Sequence, residues 1–409
     1  MDSMPFVIYV APNYTENAVK FIDKLAQLPD VNLGLISQEP VEWLKPETSN
    51  ALSAFHRVDD VFDFTLLLAA TQKLSDQRGR PHRILGAVEQ VQVPVAQVRE
   101  DLGIEGMSME TATNFRDKRR MKDLLREAGI PCARHRQVSS VAEALQFAKK
   151  VGYPIIVKPL AGAASQATFK SGHDHELKEH VKSCLSAAGS QALLEEFIQG
   201  DEQSCDTFSL IGKPVFHSIT HYYPNPLEVM REPWIQWQVL LPREVDDPKY
   251  DEIRTAAFKT LDTLGMQTGM SHLEWFRRQD GSIAISEVAA RPPGAQITTL
   301  ISRANDIDCV SAWARLMIFD DFPEVERKYA VGAAYLRGQG QGKVVGVQGL
   351  EQVSNELGHL ITDVRVPQIG QEKSLSYEGE GYIIIRHPET SVVKEALSHI
   401  VSTVRVHLG

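Results

Sequence analysis

The sequence predicts an α/β protein in three units, and three observations carry that expectation. Over about the first 100 residues, strand-like and helix-like runs alternate in a βαβ rhythm, which implies a parallel sheet. From Thr111 onward, helices alternate with hairpin signals, among them an Asp280-Gly281 pair between two strand-like runs. From Lys328 a shorter stretch carries strands, a Gly/Gln-rich loop and a closing helix. The expected units are 1–110, 111–327 and 328–409 of the 409 residues.

The elements follow in order. Residues 6–10 read as a strand, 15–28 as a helix and 31–36 as a second strand. A helical stretch covers 61–74, a strand 83–88 and a helical run 91–102. No Gly-x-Gly-x-x-Gly follows the first strand, so a dinucleotide fingerprint is absent. The second unit opens with a charged amphipathic helix at 117–128 that stops at Gly129, with Pro131 just beyond. Ser140 caps a helix at 141–150, which Gly152 and Pro154 end. A strand at 155–158 leads into a small-residue loop at 161–167 and a strand at 168–170. A helix at 176–185 and a strand at 192–198 come next. Residues 204–210 and 215–221 form a hairpin turning at Gly212-Lys213. The third unit holds strands at 332–336 and 381–386 and a helix at 391–404. Its Gly/Gln loop, 338–342, reads as a flexible turn. It is not a Walker phosphate loop, because Lys343 is followed by Val344 rather than Ser or Thr.

Composition excludes several classes. Hydrophobic residues make up 43% of the chain and charged residues 23%, which suits a water-soluble fold with real cores. The net charge of −10 offers no basic field to nucleic acid or to an anionic membrane. No apolar run is long enough to span a bilayer, and Met1-Asp2-Ser3-Met4 lacks the basic start of a signal peptide, so a cytoplasmic protein is expected. Cys132, Cys184, Cys205 and Cys309 are widely spaced, which suggests neither a disulfide framework nor a structural zinc site.

Chemistry is concentrated in the predicted hairpin around Asp280-Gly281. A two-residue type I′ turn there pairs Gln279 with Ser282, Phe276 with Ile285 and Glu274 with Glu287. Directly opposed like charges destabilise a sheet, so a cation is expected between the two glutamates. Oxygen ligands of this kind suit Mg²⁺. Arg291, four residues past Glu287, falls on the same side if the strand stays extended. Two acids on a metal beside an arginine form a phosphoryl-transfer arrangement.

Further features precede the hairpin. Lys118 follows Asp117 at a helix start, and Lys158 ends a strand before the Ala161-Gly162-Ala163-Ala164-Ser165 loop. Small side chains there would let backbone N–H groups approach phosphate oxygens. Leu194-Glu195-Glu196-Phe197-Ile198 offers an extended edge to a base, and Glu202 suits ribose hydroxyls.

In their order and spacing, the motifs from Asp117 to Arg291 resemble those of the ATP-grasp superfamily, in its carboxylate–amine ligase branch. The likeness extends over most of the chain. It is nearest to bacterial L-amino-acid (dipeptide) ligases and more distant to biotin carboxylase. The resemblance implies an ATP-grasp fold with a Rossmann-like N-terminal domain, a lid at about 125–195 and a small α+β C-terminal domain. It implies Lys118 and Lys158 on the ATP phosphates, with the 161–167 loop and its Ser165 closing over them. It implies Glu195, Glu196, Phe197 and Ile198 at adenine and Glu202 at ribose. Glu274 and Glu287 would hold Mg²⁺, with Mn²⁺ as a substitute, and Arg291 would meet the transferred phosphate. Glu89 falls where dipeptide ligases place an acid near the substrate amine. The implied partners are small carboxylate and amine substrates and a second copy of the chain in a homodimer.

Ala289 stands where many of these enzymes carry an Asn two residues after the second glutamate, whereas dipeptide ligases share Glu-x-Ala-Ala-Arg. Pro292-Pro293-Gly294-Ala295 follows Arg291, without the His-Pro-Val-Thr-Glu of biotin carboxylase. Both point to ligation rather than to carboxylation, and the intact Lys158, Glu274, Glu287 and Arg291 count against a non-catalytic nucleotide module. On the substrate side the expected residues are His221, His272, Arg231 and Trp234. The hairpin register places His272 on the Glu274 face. The segment 230–237 reads as a loop over the substrate in which Arg231 would hold a carboxylate.

Overall fold

The computed structural model describes residues 4–159, 168–187, 191–232 and 234–409. The N-terminal strands are β1 (Phe6–Ala11), β2 (Asn32–Ser37), β3 (Ala54–Arg57) and β4 (Arg83–Leu85). They form a parallel sheet in the order β3-β2-β1-β4. Every residue of β1 is buried, as its unbroken apolar run requires of a central strand covered on both faces. β3 was not legible, because Ala-Phe-His-Arg has no alternation and lies at the sheet edge.

The next four strands are β5 (His135–Val138), β6 (Ile155–Pro159), β7 (Phe169–Ser171) and β8 (Ala192–Glu196), an antiparallel sheet in the order β5-β8-β6-β7. Helices Val141–Val151 and Asp174–Ala187 cover it. Ser140 caps the first helix as expected, its hydroxyl accepting from Glu143 N–H at 3.3 Å. The expected phosphate loop at 161–167, with Ser165, lies outside the described residues.

The central sheet begins with β9 (Gly200–Leu210), β10 (Lys213–Tyr223), β11 (Trp237–Leu241), β12 (Gly269–Arg278), β13 (Ile283–Ala289) and β14 (Ala330–Leu336). Two of its hairpin turns differ in detail from expectation. Ile211 and Gly212 have φ of 49° and 75°, so the two-residue turn with both φ positive joins β9 to β10, one residue earlier than expected. At the Asp280-Gly281 turn, only Gly281 has positive φ (85°). Arg278 N–H donates to Ser282 O at 2.8 Å and Gly281 N–H to Arg278 O at 3.0 Å, so the loop is three residues long with Gly in the left-handed position.

The remaining strands are β15 (Gly338–Gln339), β16 (Val344–Gln348), β17 (Ile361–Arg365), β18 (Gly381–His387) and β19 (Arg405–Leu408). β14, β18 and β17 extend the central sheet through the β11–β14 pairing, giving eight strands in the order β13-β12-β9-β10-β11-β14-β18-β17. The 338–342 loop is more ordered than its composition suggests, since β15 pairs with β19. Gly340 has φ of 109°, and a Cβ there would stand 2.8 Å from the Leu408 carbonyl, so close backbone approach requires glycine.

Register decides what each face of the central sheet carries. Side chains alternate between faces, so cross-strand partners share one. On one face lie Glu287 and Ala289 of β13, Glu274 and His272 of β12, and Ser204 and Asp206 of β9. The same face continues through Thr220 and Tyr222 of β10, Trp237 and Val239 of β11 and Tyr335 of β14. It therefore passes from carboxylates at one end to aromatics farther across. The opposite face buries Cys205, Ile219, Leu273 and Trp275 against helix Asp251–Leu264.

Candidate active site

The carboxylate end of this face floors a cleft of about 390 Å³. Strands β6 and β8 supply Lys158, Glu195 and Glu196, and the N-terminal segment supplies Glu89 and Asn17. Lys118, Phe197, Ile198, Glu202, His272 and Arg291 also line it.

Glu274 and Glu287 are direct cross-strand partners, reached by a different route from the expected one. From the turn, Arg277 pairs with Ile283, Phe276 with Ala284 and Trp275 with Ile285. Left unshifted, that register would pair Glu274 with Ser286. One extra residue in β13, Ser286, moves it to Glu287. Lys122 Nζ donates to the Ser286 carbonyl at 2.7 Å, so a buried lysine holds the bulge.

That lysine also explains Glu195. Asp117 caps helix Lys118–Glu127, accepting from Arg119 and Arg120 N–H groups at 2.9 and 3.0 Å. Lys118 and Lys122 follow one turn apart on a single face. Lys118 reaches Glu287 at 2.7 Å, and Lys122 reaches Glu195 at 3.3 Å. Lys158 meets Glu195 from the neighbouring strand at 3.1 Å. Burial opposes ionisation of Glu195, but the two lysines outweigh it and hold its carboxyl at about 2. Glu195 is therefore an ion-pair partner rather than a free hydrogen-bonding group for a base. Lys122 was not singled out in the sequence; its signal was the four-residue spacing from Lys118.

A pH test follows. A carboxyl depressed on folding stabilises the fold above its ordinary range, and that contribution is lost as pH falls toward about 2. Glu195→Gln leaves two buried lysines short of a partner and is expected to cost about 3–5 kcal/mol at neutral pH. The difference from wild type in urea unfolding should shrink as pH drops from about 6 to about 3. A constant difference across that range would contradict the ionised pairing.

Behind the Glu274–Glu287 pair, His272 Nδ1 donates to Asp206 Oδ1 at 2.6 Å, while Nε2 lies 3.6 Å from Glu274 Oε1. Ser204 and Thr220 hydroxyls hold the other Asp206 oxygen at 3.0 and 3.3 Å. Burial disfavours imidazolium, yet Asp206 and Glu274 raise the His272 pKa to about 9. Glu202 has burial, then the charge of Glu274, pushing its carboxyl upward. Glu89 is held by Arg116 and lies 3.7 Å from Arg291 Nε. It is therefore neutralised by two arginines rather than open to an amine.

Three expected substrate residues lie elsewhere. His221 is at an odd position of β10, which turns it to the opposite face, 2.7 Å from the Tyr250 hydroxyl. Arg231 ends helix Pro226–Arg231 and is exposed, and only Pro226 and Leu227 of that helix line the cleft. Trp234 is 62% exposed and donates its indole N–H to Glu232 at 3.0 Å. The residues that do line that end, and that the sequence reading missed as a set, are Tyr222, Trp237 and Tyr377.

The donor set fits a hard divalent cation. Glu274 and Glu287 present carboxylate oxygens side by side, and among the described residues no cluster of three or more His, Cys, Asp or Glu forms an all-protein metal cage. Mg²⁺ commonly takes one or two carboxylates and completes its shell with water and substrate phosphates. Among the described residues no helix is long and apolar enough to cross a membrane.

Comparisons with known proteins agree with this geometry. Residues 151–300 match the ATP-grasp domain family. The chain is 28% identical over 313 residues to the L-arginine-specific L-amino acid ligase of Bacillus subtilis, covering 74% of this chain and 73% of that protein. It is 24% identical over 307 residues to a formate-dependent phosphoribosylglycinamide formyltransferase of Synechococcus, covering 73% of this chain and 75% of that one. The crystal structure of an L-amino acid ligase from Bacillus licheniformis superposes with a TM-score of 0.81 at 16% identity, covering 100% of both chains. Residues 151–300 therefore carry an ATP-grasp domain, and over its whole length the chain is similar in fold to an L-amino acid ligase.

Proposed function

We propose that the protein is an ATP-dependent carboxylate–amine ligase that forms an amide through an acyl phosphate, with an amino acid as one substrate. The observation that carries the reading is the Glu274–Glu287 pair, flanked by Lys118, Lys158 and Arg291 in one cleft. In this reading Lys118 and Lys158 bind the ATP phosphates. Glu196, Phe197 and Ile198 border adenine, and Glu202 takes the ribose hydroxyls. Glu195 positions Lys158 and Lys122 rather than touching the base. Glu274 and Glu287 would hold Mg²⁺, or Mn²⁺ in its place, which when bound neutralises charge on the migrating phosphoryl group.

A carboxylate is a poor electrophile until one oxygen carries a leaving group. Its attack on the γ-phosphorus breaks the bond to ADP and gives an acyl phosphate. An amine then attacks the carbonyl carbon, phosphate leaves, and the amine proton passes to solvent or a nearby base. Lys158 offers a fixed positive charge to the migrating group, and the Arg291 fork suits the oxyanion of the tetrahedral intermediate. Exclusion of water protects the acyl phosphate from hydrolysis. The reading keeps units 1–110, 111–327 and 328–409, with about 125–195 as the lid. It also includes a homodimer in the cytoplasm.

The test is product identity. With ATP, Mg²⁺ and pooled amino acids, the protein is expected to release ADP and phosphate in equal amounts, with an amide product found by mass. Stoichiometric AMP and pyrophosphate would mean an acyl adenylate and would overturn the mechanism.

A further inference from the structure

The face of the central sheet that carries the two glutamates does not remain polar. Beyond Thr220 it presents Tyr222 and then, on β11, Trp237 opposite Tyr335. The Trp237 ring centroid lies 5.5 Å from Tyr222, 5.1 Å from Tyr335 and 4.7 Å from Tyr377. Tyr377 comes from the loop between β17 and β18, so the third unit closes a pocket whose floor belongs to the second. Pro226, Leu227 and Ile297 complete its apolar wall.

Two of these four rings have their polar atoms engaged within the protein. The Trp237 indole N–H donates to Pro224 O at 3.0 Å, and the Tyr335 hydroxyl donates to Ala295 O. The acid at this end, Glu89, is paired with Arg116 and faces Arg291. A guanidinium or ammonium side chain entering here would lose its water against these rings, and Glu89, already facing two arginines, would not offset that cost. An apolar side chain would meet aromatic faces.

We propose that this aromatic pocket, closed by Tyr377, receives the side chain of the substrate amino acid and selects large apolar side chains over cationic ones. The inference rests on the ligase reading above, and it separates this chain from the relative whose name specifies arginine. Tyr377 acts here as a specificity-determining residue, away from the phosphates.

The experiment measures phosphate release by the full chain with ATP, Mg²⁺ and single amino acids: phenylalanine, leucine, methionine, arginine, lysine and aspartate. The apolar group is expected to exceed arginine and lysine by at least about 10-fold in kcat/KM, the range that hydrophobic pockets supply. Tyr377→Ala is expected to lower kcat/KM for the preferred apolar substrate by about 10-fold or more, with the KM for ATP unchanged. Tyr377→Phe, which keeps the ring, should restore it. Equal or better turnover with arginine or lysine overturns the proposal and leaves the ligase reading standing. So does a Tyr377→Ala variant that loses ATP and amino acid affinity alike. No stimulation by any amino acid, with ATP still bound, overturns both.

Discussion

Glu287→Gln is expected to abolish phosphate release while leaving the protein folded. The amide keeps the shape of the carboxylate, and its oxygen can still accept from Lys118, which sits 2.7 Å from Glu287 Oε2. It does not keep the charge. Mg²⁺ is a hard cation that sheds water reluctantly, and a neutral amide oxygen is a weak replacement for a carboxylate. Burial works against an ionised Glu287, yet Lys118 and Lys158 hold its carboxyl at about 2, so it is a full anion at neutral pH. The expected loss is at least on the order of 10²–10³ in kcat, the scale on which fixed transition-state charges act. Phosphate release, far-UV circular dichroism and a thermal melt on the same preparation decide it. A folded Glu287→Gln protein with normal turnover would sink the metal assignment. Glu274→Gln, across the same strand pair, should behave alike.

The prediction of that pair from sequence was sound in outcome and wrong in detail, for a physical reason. An Asp-Gly dipeptide between strand-like runs signals a two-residue turn, but Asp280 keeps negative φ and the loop has three residues. That shifts the register by one. The bulge at Ser286 shifts it back before the glutamates are reached. Turn chemistry is local and legible. A bulge held by Lys122 from a helix more than a hundred residues away is not.

Strand parity explains other misses. His221 and His272 looked alike in sequence, yet position within β10 and β12 sends them to opposite faces. Moving the β9–β10 turn by one residue leaves the parity of His221 unchanged; the bulge between Pro214 and Phe216 shifts the register by one and pairs His221 with Gln203, turning it away from the cleft. Glu195 was legible as a site residue and not as an ion pair, since its partners come from different segments. The aromatic pocket was least legible. Tyr222 and Trp237 sit on the paired strands β10 and β11, but Tyr377 comes from much later in the chain and reaches them only because β14 and β18 join the central sheet. The sequence reading had placed the Trp-rich segment over the substrate by way of Trp234, but Trp237 is the tryptophan that lines the cleft.

Arg291→Ala and Lys158→Ala are expected to fail in different ways. Arg291 lies past the glutamates, with its Nη1 donating to Pro292 O at 2.9 Å and its Nε 3.7 Å from Glu89. Its removal does not strand Glu89, which keeps Arg116. The variant should therefore fold and bind ATP nearly as well as wild type. A planar guanidinium suits an oxyanion that develops only during reaction, so turnover should fall by on the order of 10²–10³. Lys158 also lines the cleft, from strand β6. Its removal does not strand Glu195, which keeps Lys122 at 3.3 Å. That variant should fold too, but it loses a positive charge meant for phosphates present in the ground state. Its nucleotide affinity should drop. Calorimetric affinity and saturating-ATP turnover on both proteins separate the two roles, because ground-state binding appears in the first and transition-state stabilisation in the second. An Arg291→Ala protein that loses ATP affinity but keeps its rate at saturation would make Arg291 a binding residue. A Lys158→Ala protein with unchanged ATP affinity would leave Lys158 as a partner of Glu195 with no hold on the phosphates.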